Sequence, residues 1–246
     1  MTGKRTEAAE MSIAMDEKLT LAIDIGGTGL KASVIDEASK MRTDRVRIET
    51  PVGAPPERIV DMLAGMVAPL GTFHRVSVGF PGVVRQGRVL TAPNLGNDSW
   101  KGFDIATALS AALGKPVRVA NDADMQGFGV IAGEGVEMVV TLGTGFGTAL
   151  YVDGRIGPHL ELSHHLFRHG ETYDEQLGNA ARKAIGGSRW NRRVKKAIAS
   201  LRNLTRFDHL YIGGGNAKKI AFPLEPDVTI VSNEAGMKGG IALWRD

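Results

Sequence analysis

The chain has 246 residues, 43% of them apolar, which is enough to bury one large core or two modest ones and leaves no sign of a disordered or fibrous protein. It contains no cysteine, which excludes disulfides and thiolate metal sites, and its 30 basic and 27 acidic residues leave a formal net charge of only +3, so any anionic partner must be argued from local clusters. No apolar run reaches membrane-spanning length and the first residues lack the apolar stretch of a signal peptide, so the expectation is a cytoplasmic protein with no membrane partner.

Residues 1–18 mix charge, small residues and methionines without a period and read as a loosely ordered leader, with Met11 or Met15 as alternative starts. Leu19 to Asp36, LTLAIDIGGTGLKASVID, then reads as a strand ending in a carboxylate, a Gly-Gly-Thr-Gly turn and a second, alternating strand. Gly27, Gly29 and Ala32 satisfy the loose G-x-G-x-x-[GA] dinucleotide pattern, but that fingerprint must open a helix. Here Leu30, Ala32 and Val34 alternate with Lys31 and Ser33, a period of two, so the turn joins a hairpin. No Walker G-x-x-x-x-G-K-[ST] occurs either. Backbone amides in a glycine-rich turn can converge on a phosphate oxygen while Asp24 holds the accompanying cation, which makes this a phosphate-handling loop.

A third strand is predicted near Arg45 to Glu49, a helix from Pro55-Pro56 through Leu70, and a buried-type strand from Arg75 to Gly79. Asn94 sits in a polar Pro-Asn-Leu-Gly loop, and Val117 to Ala120 read as a short buried strand ending in Asn121-Asp122-Ala123-Asp124. Strands and helices alternate, which gives an α/β class.

Glu137 to Asp153, EMVVTLGTGFGTALYVD, repeats the opening design. Laying Gly27-Thr28-Gly29 on Gly143-Thr144-Gly145 carries Leu30 onto Phe146 and Asp24 onto Val140, so the turn itself does not demand the carboxylate and a chemical role for Asp24 is favoured. The separation of the two copies is domain-sized rather than a solenoid period. From Arg182 to Arg206 every charged residue is positive, and Trp190, Val194, Ala197, Leu201 and Leu204 recur at helical spacing. That stretch is either a solvated helix face or a track for a polyanion. A third glycine cluster, Gly213 to Gly215, follows Tyr211-Ile212.

These motifs together resemble the ROK family of bacterial sugar kinases, within the actin-like superfamily, over nearly everything from Leu19 onward. Asp24-Ile25-Gly26-Gly27-Thr28 with Lys31 matches the first phosphate motif, Leu142-Gly143-Thr144-Gly145 the second, and Tyr211-Ile212-Gly213-Gly214-Gly215 the adenosine-side glycine loop. The resemblance implies a two-domain actin-like (ribonuclease H-like) ATPase fold with an inter-domain cleft. One domain would span residues 19–120 plus a C-terminal helix over 233–246, and the other residues 121–232. It implies Asp122 as the general base, Asn121, Glu161 and His164 as hexose ligands, Asn94 and Glu175 as further candidates, with Glu175 chosen over Asp174, and Asp24 as the Mg²⁺ ligand.

Asn121 and Asp122 also suit a helix N-cap, and one residue can do both. Leu160-Glu161-Leu162-Ser163-His164 departs from the family's G-E-L-G-H at both glycines, and Asp124 replaces the asparagine of N-D-A-N. His159, His164, His165 and His169 crowd this region, but the cysteine cluster with which the family holds zinc is missing. The N-D-A-D form, the missing cysteines and the tail from Val231 to Trp244 resemble the polyphosphate glucokinases within the family.

The expected reaction is phosphoryl transfer from polyphosphate and/or ATP to the 6-hydroxyl of glucose or a related hexose. The rivals are an ATP-only kinase of mannose, glucosamine or an N-acetylated hexose, a non-catalytic sugar sensor, and a nucleic-acid binder using the basic stretch. The last lacks interleaved aromatics, so no nucleic-acid partner is expected. A homodimer is compatible with the sequence.

Overall fold

The computed structural model describes residues 18–93, 95–96, 98–232 and 239–244. All of the expected leader but Lys18, and the candidate Asn94, lie outside the described residues. The chain divides into two compact units, one holding the described residues up to Val119 with Leu243 and Trp244, the other running from Ala120 to Ala242.

The first unit is built on β1 (Thr20–Ile25), β2 (Leu30–Ile35), β3 (Val46–Ile48) and β4 (Arg75–Phe80), with a small hairpin of β5 (Val84–Arg85) and β6 (Arg88–Val89), and with β7 (Val117–Asn121) at the end of the sheet. Sheet order is β3-β2-β1-β4-β7, with β1 antiparallel to β2 and parallel to β4. Helix α1 (Pro56–Val67) makes the crossover, starting on a proline whose missing N–H costs nothing in the first turn. Its Ile59, Leu63 and Val67 recur along one face and pack with Leu21, Ile23, Val76 and Val78. Helix α2 (Ile105–Leu113) is N-capped by Asp104, which accepts from the Thr107 amide at 3.0 Å.

Val117 to Ala120, expected to be a buried strand, is only partly covered, with Arg118 exposed. The strand sits at the sheet edge, where only one neighbour shields it. Arg118 lies over the Trp244 ring at 4.6 Å, and Trp244 Nε1 donates to Ser77 Oγ at 2.8 Å. The expected C-terminal helix falls partly outside the described residues, and its described part, Gly239–Trp244, is a 3₁₀-helix rather than an α-helix.

The second unit starts with α3 (Asp122–Phe128) and carries β8 (Val136–Leu142), β9 (Phe146–Val152), β10 (Arg155–Ile156), the hairpin β11 (Leu166–Arg168) and β12 (Glu171–Thr172), β13 (His209–Gly213) and β14 (Val228–Ile230). Sheet order is β10-β9-β8-β13-β14, with β8 antiparallel to β9 and parallel to β13. Helices α4 (Tyr173–Leu177), α5 (Asn179–Ile185) and α6 (Gly187–Thr205) fill the crossover from β9 to β13. The two sheets therefore share one topology, a hairpin and a third strand on one side of the first strand and a parallel partner on the other. Trp190, Val194, Ala197 and Leu201 form the buried stripe of α6, but Leu204, expected on that stripe, is 62% exposed in the last turn.

Strand pairing corrects the proposed superposition of the halves. The first turn is closed by Ile25 opposite Leu30 and holds four residues, whereas the second is closed by Leu142 opposite Phe146 and holds three. Aligned on these closing pairs, Asp24 falls on Thr141, not Val140. The second copy still has no carboxylate at that place.

Candidate active site

In the first unit Asp24 is the penultimate residue of β1 and pairs across the hairpin with Lys31, whose Nζ donates to Asp24 Oδ2 at 2.7 Å. Both side chains are about one-third exposed. The turn between them is pinned by the Gly26 amide donating to the Gly29 carbonyl at 3.0 Å and by the Thr50 hydroxyl donating to the Gly26 carbonyl at 2.6 Å. Among the described residues the amides of Gly27, Thr28 and Gly29 donate to no backbone or side-chain acceptor, which is the condition for a turn to receive an anion. Sequence reasoning missed Arg47. It stands opposite Lys31 in the β2–β3 register and its guanidinium lies so close to Gly29 that a Cβ there would come within 2.8 Å of Nε. The signal was a basic residue of the third strand, legible only once register is known.

The second turn is held more firmly. The Gly143 amide donates to the Gly145 carbonyl at 3.0 Å, the Asn179 amide to the Gly143 and Thr144 carbonyls at 3.1 Å each, and Asn216 Nδ2 to the Gly143 carbonyl at 3.1 Å. Asp174 accepts from the Phe146 amide and would meet a Cβ on Gly145 at 2.5 Å. The amides of Thr144 and Gly145 donate to no acceptor among the described residues. The glycine loop after β13 packs directly on this turn. Gly214 has φ +89° and its Cα faces the Leu142 carbonyl, where a Cβ would be 2.3 Å from the oxygen, while a Cβ on Gly213 would be 2.3 Å from Gln126 Nε2.

Asp122 is the first residue of α3 and is exposed. Asn121 is its N-cap, with Oδ1 accepting from the Ala123 amide at 2.8 Å, and Asp122 Oδ1 accepts from the same amide at 2.8 Å. The capping role weighed for Asn121 is thus real, and it orients the carboxylate beside it.

Glu161 precedes a 3₁₀ turn, Leu162–His164, and accepts a hydrogen bond from the Ser163 hydroxyl. Its other oxygen faces His159 Nε2 at 3.4 Å, and His159 Nδ1 lies 3.2 Å from both oxygens of the buried Asp124. Hydrogen bonds to Asp124 first, then to Glu161, push the His159 imidazole up to about 10. The same ring holds the Glu161 carboxyl below its ordinary value, and burial raises Asp124. His164 is exposed and acts electrostatically on both Glu161 and Asp174.

Glu175 makes contacts of a different kind. Its carboxylate accepts from the Thr172 amide at 2.8 Å and the Thr172 hydroxyl at 3.0 Å, closing a capping box at the start of α4. Asp174 interacts electrostatically with Glu161, His164 and Glu175, and its carboxyl is raised chiefly by burial. The T-x-x-E spacing of Thr172 and Glu175 was the signal that would have separated them.

No group of three or more His, Asp or Glu side chains with the makings of a metal site occurs among the described residues, and His159 is engaged by carboxylates. A single partly exposed carboxylate such as that of Asp24 is compatible with Mg²⁺, a hard ion that keeps several waters and needs only one or two carboxylates beside donor phosphates.

A family model described as "ROK family" matches residues 20–172. The polyphosphate glucokinase of Mycobacterium tuberculosis is 29% identical over 229 residues, covering 89% of this chain and 86% of that protein. That of Mycobacterium leprae is 31% identical over 207 residues, covering 80% of this chain and 63% of that protein. The crystal structure of an inorganic polyphosphate/ATP-glucomannokinase from Arthrobacter sp. strain KM superposes with a TM-score of 0.82 at 32% identity, over 93% of this chain and 100% of that one. A ROK family glucokinase from Streptomyces griseus, solved with glucose and AMPPNP, shares the fold at TM-score 0.74 and 20% identity, over 92% and 98%.

Proposed function

The chain belongs to the ROK family of sugar kinases and has its actin-like α/β fold, and from that footing we propose that it transfers the terminal phosphoryl group of polyphosphate or ATP to the 6-hydroxyl of glucose or a closely related hexose. The observation that carries this reading is the pair of glycine turns in which the amides of Gly27, Thr28, Gly29, Thr144 and Gly145 donate to no acceptor among the described residues, together with an exposed, N-cap-oriented carboxylate at Asp122. Phosphoryl transfer asks the protein for little beyond positioning and charge neutralisation, and these are what the two features supply. The two units are taken as the two actin-like domains.

The hexose oxygen forms a bond to the terminal phosphorus as the bridging P–O bond breaks. The bonding pair leaves with the shortened donor, and Asp122 takes the hydroxyl proton. Thr28, Thr144 and the free turn amides hold phosphate oxygens, Lys31 and Arg47 add positive charge at the first turn, and the Gly213–Gly215 loop takes the adenosine when ATP is the donor. Asp24 would hold Mg²⁺, which would neutralise donor charge when bound. Asn121, Glu161, His164 and Asp174 receive the hexose hydroxyls.

Helix α6 supports polyphosphate as a donor. Arg189, Arg192, Lys195 and Lys196 are exposed along it, whereas Arg202 is neutralised by Asp227 and Glu225. A row of solvated cations attracts a phosphate chain with strong salt dependence. Among the described residues no helix is long and apolar enough to cross a membrane, and we place the activity in the cytoplasm, where sugar and donors occur together.

The test is a panel of hexoses crossed with ATP and polyphosphate in the presence of Mg²⁺, repeated over a range of salt. Glucose phosphorylation from polyphosphate that weakens as salt rises supports the reading. Turnover with ATP alone would reject the polyphosphate donor, and turnover with neither would reject the kinase.

A further inference from the structure

We propose that His159 is the positioning residue for Glu161, itself fixed by Asp124, and that this carboxylate–imidazole–carboxylate bridge sets the affinity for the hexose. The inference rests on reading Glu161 as a sugar ligand.

Glu161 lies on a connecting segment rather than on a helix or strand, so its own backbone does little to fix its carboxylate. Two contacts do so instead, the Ser163 hydroxyl on Oε1 and His159 Nε2 on Oε2 at 3.4 Å. His159 is anchored at its other nitrogen by Asp124, 7% exposed, in a helix that Asn121 caps. The backbone at Asp124 is fixed in turn because its carbonyl accepts from the Tyr151 hydroxyl, itself buried in the sheet. The bridge therefore runs from the helix whose first residue is Asp122 to the segment that carries Glu161.

A ring with an acceptor at each nitrogen satisfies both only as the imidazolium, since the neutral ring donates from one nitrogen alone. Its positive charge between two carboxylates lets them approach a common ring without mutual repulsion. Glu161 then stays ionised, an acceptor-only group suited to sugar hydroxyls. The other titratable side chains acting on Glu161 and its neighbour Asp174 are His164 and Glu175, and neither touches the ring.

The test compares wild type with His159→Gln, Glu161→Gln, the double variant and Asp124→Asn, measuring KM for hexose, KM for donor, kcat and the melting temperature. ¹⁵N NMR of the His159 ring is followed from pH 6 to 10. Each single variant is expected to raise hexose KM about tenfold or more, leave donor KM within about twofold, and leave the double variant no worse than Glu161→Gln, the non-additivity of groups that act as one. The wild-type ring is expected to keep both protons past pH 8, and to lose that in Asp124→Asn.

A folded His159→Gln with unchanged hexose KM, or strictly additive losses, overturns the positioning role while leaving the kinase intact. Should His159→Gln fail to fold, Asp124→Asn decides in the same way. A wild type that phosphorylates no hexose overturns the kinase reading and this role with it.

Discussion

Lys31 and Asp24 face each other across the first hairpin, Nζ to Oδ2 at 2.7 Å, at the mouth of a turn whose remaining amides are free to receive an anion. The pair is about one-third exposed, so water competes for both partners and the bond is weak enough to exchange. Binding of a phosphate donor with its cation would give each a better partner, phosphate for Lys31 and Mg²⁺ for Asp24. Lys31→Met should therefore raise donor KM by about tenfold, the worth of one charge-assisted hydrogen bond, with hexose KM little changed. Steady-state kinetics with each substrate varied in turn checks this. A Lys31→Met enzyme with wild-type donor KM would show the pair to be structural only.

Thr172 and Glu175 close a capping box, whereas Asp174 between them is coupled electrostatically to Glu161 and His164. Thr172→Ala should cost about 1 kcal/mol of stability with kinetics unchanged, the usual worth of an N-cap. Glu175→Ala should lower the melting temperature slightly and leave hexose KM alone, while Asp174→Asn should raise hexose KM. The opposite pattern, Glu175 governing hexose KM, would favour the assignment made from sequence.

Gly214 combines a left-handed backbone, φ +89°, with an approach so close that a Cβ would be 2.3 Å from the Leu142 carbonyl oxygen. Neither atom is the flexible end of a side chain. Gly214→Ala is expected to cost about 1–3 kcal/mol in denaturant unfolding and to disturb the adjoining Gly143 turn. An alanine variant of wild-type stability would mean that the loop after β13 relaxes freely.

The His159 bridge also predicts the sign of a pH effect. The ring is held at about 10 in the folded chain, above the ordinary 6.5, so its contribution is complete below pH 6.5 and vanishes as pH rises through about 10. Glu161, held below 4.5, contributes above that pH and its share is lost as acid protonates it. Burial raises the Asp124 carboxyl, so its ionised form costs stability from its ordinary 3.8 upward, across the whole range in which the bridge acts. The stability difference between wild type and His159→Gln should be greatest near pH 6 and absent above about pH 10. Denaturant titrations across that range would contradict the bridge if the difference were flat.

Much of this molecule could be read from its chain. Period-two alternation around two glycine turns disclosed both hairpins, and Asp24 stood out because only one copy of the turn carries a carboxylate. What stayed hidden depended on tertiary register. The one-residue difference between the turns shows only in the closing pairs Ile25–Leu30 and Leu142–Phe146. Arg47 becomes a neighbour of the first turn only through its pairing with Lys31. A stretch as short as Val117 to Ala120, with one charged residue among three apolar ones, looks the same at a sheet edge as at its centre. His159 is separated from Asp124 by 35 positions, and nothing local links them.

The most direct measurement is the rate of glucose 6-phosphate formation by wild type and by Asp122→Asn, each saturated with hexose and donor in Mg²⁺. Loss of the base should lower the rate by about 10²- to 10⁴-fold while hexose binding, measured by calorimetry, stays within a few-fold. An Asp122→Asn enzyme turning over at the wild-type rate would contradict the account at its centre.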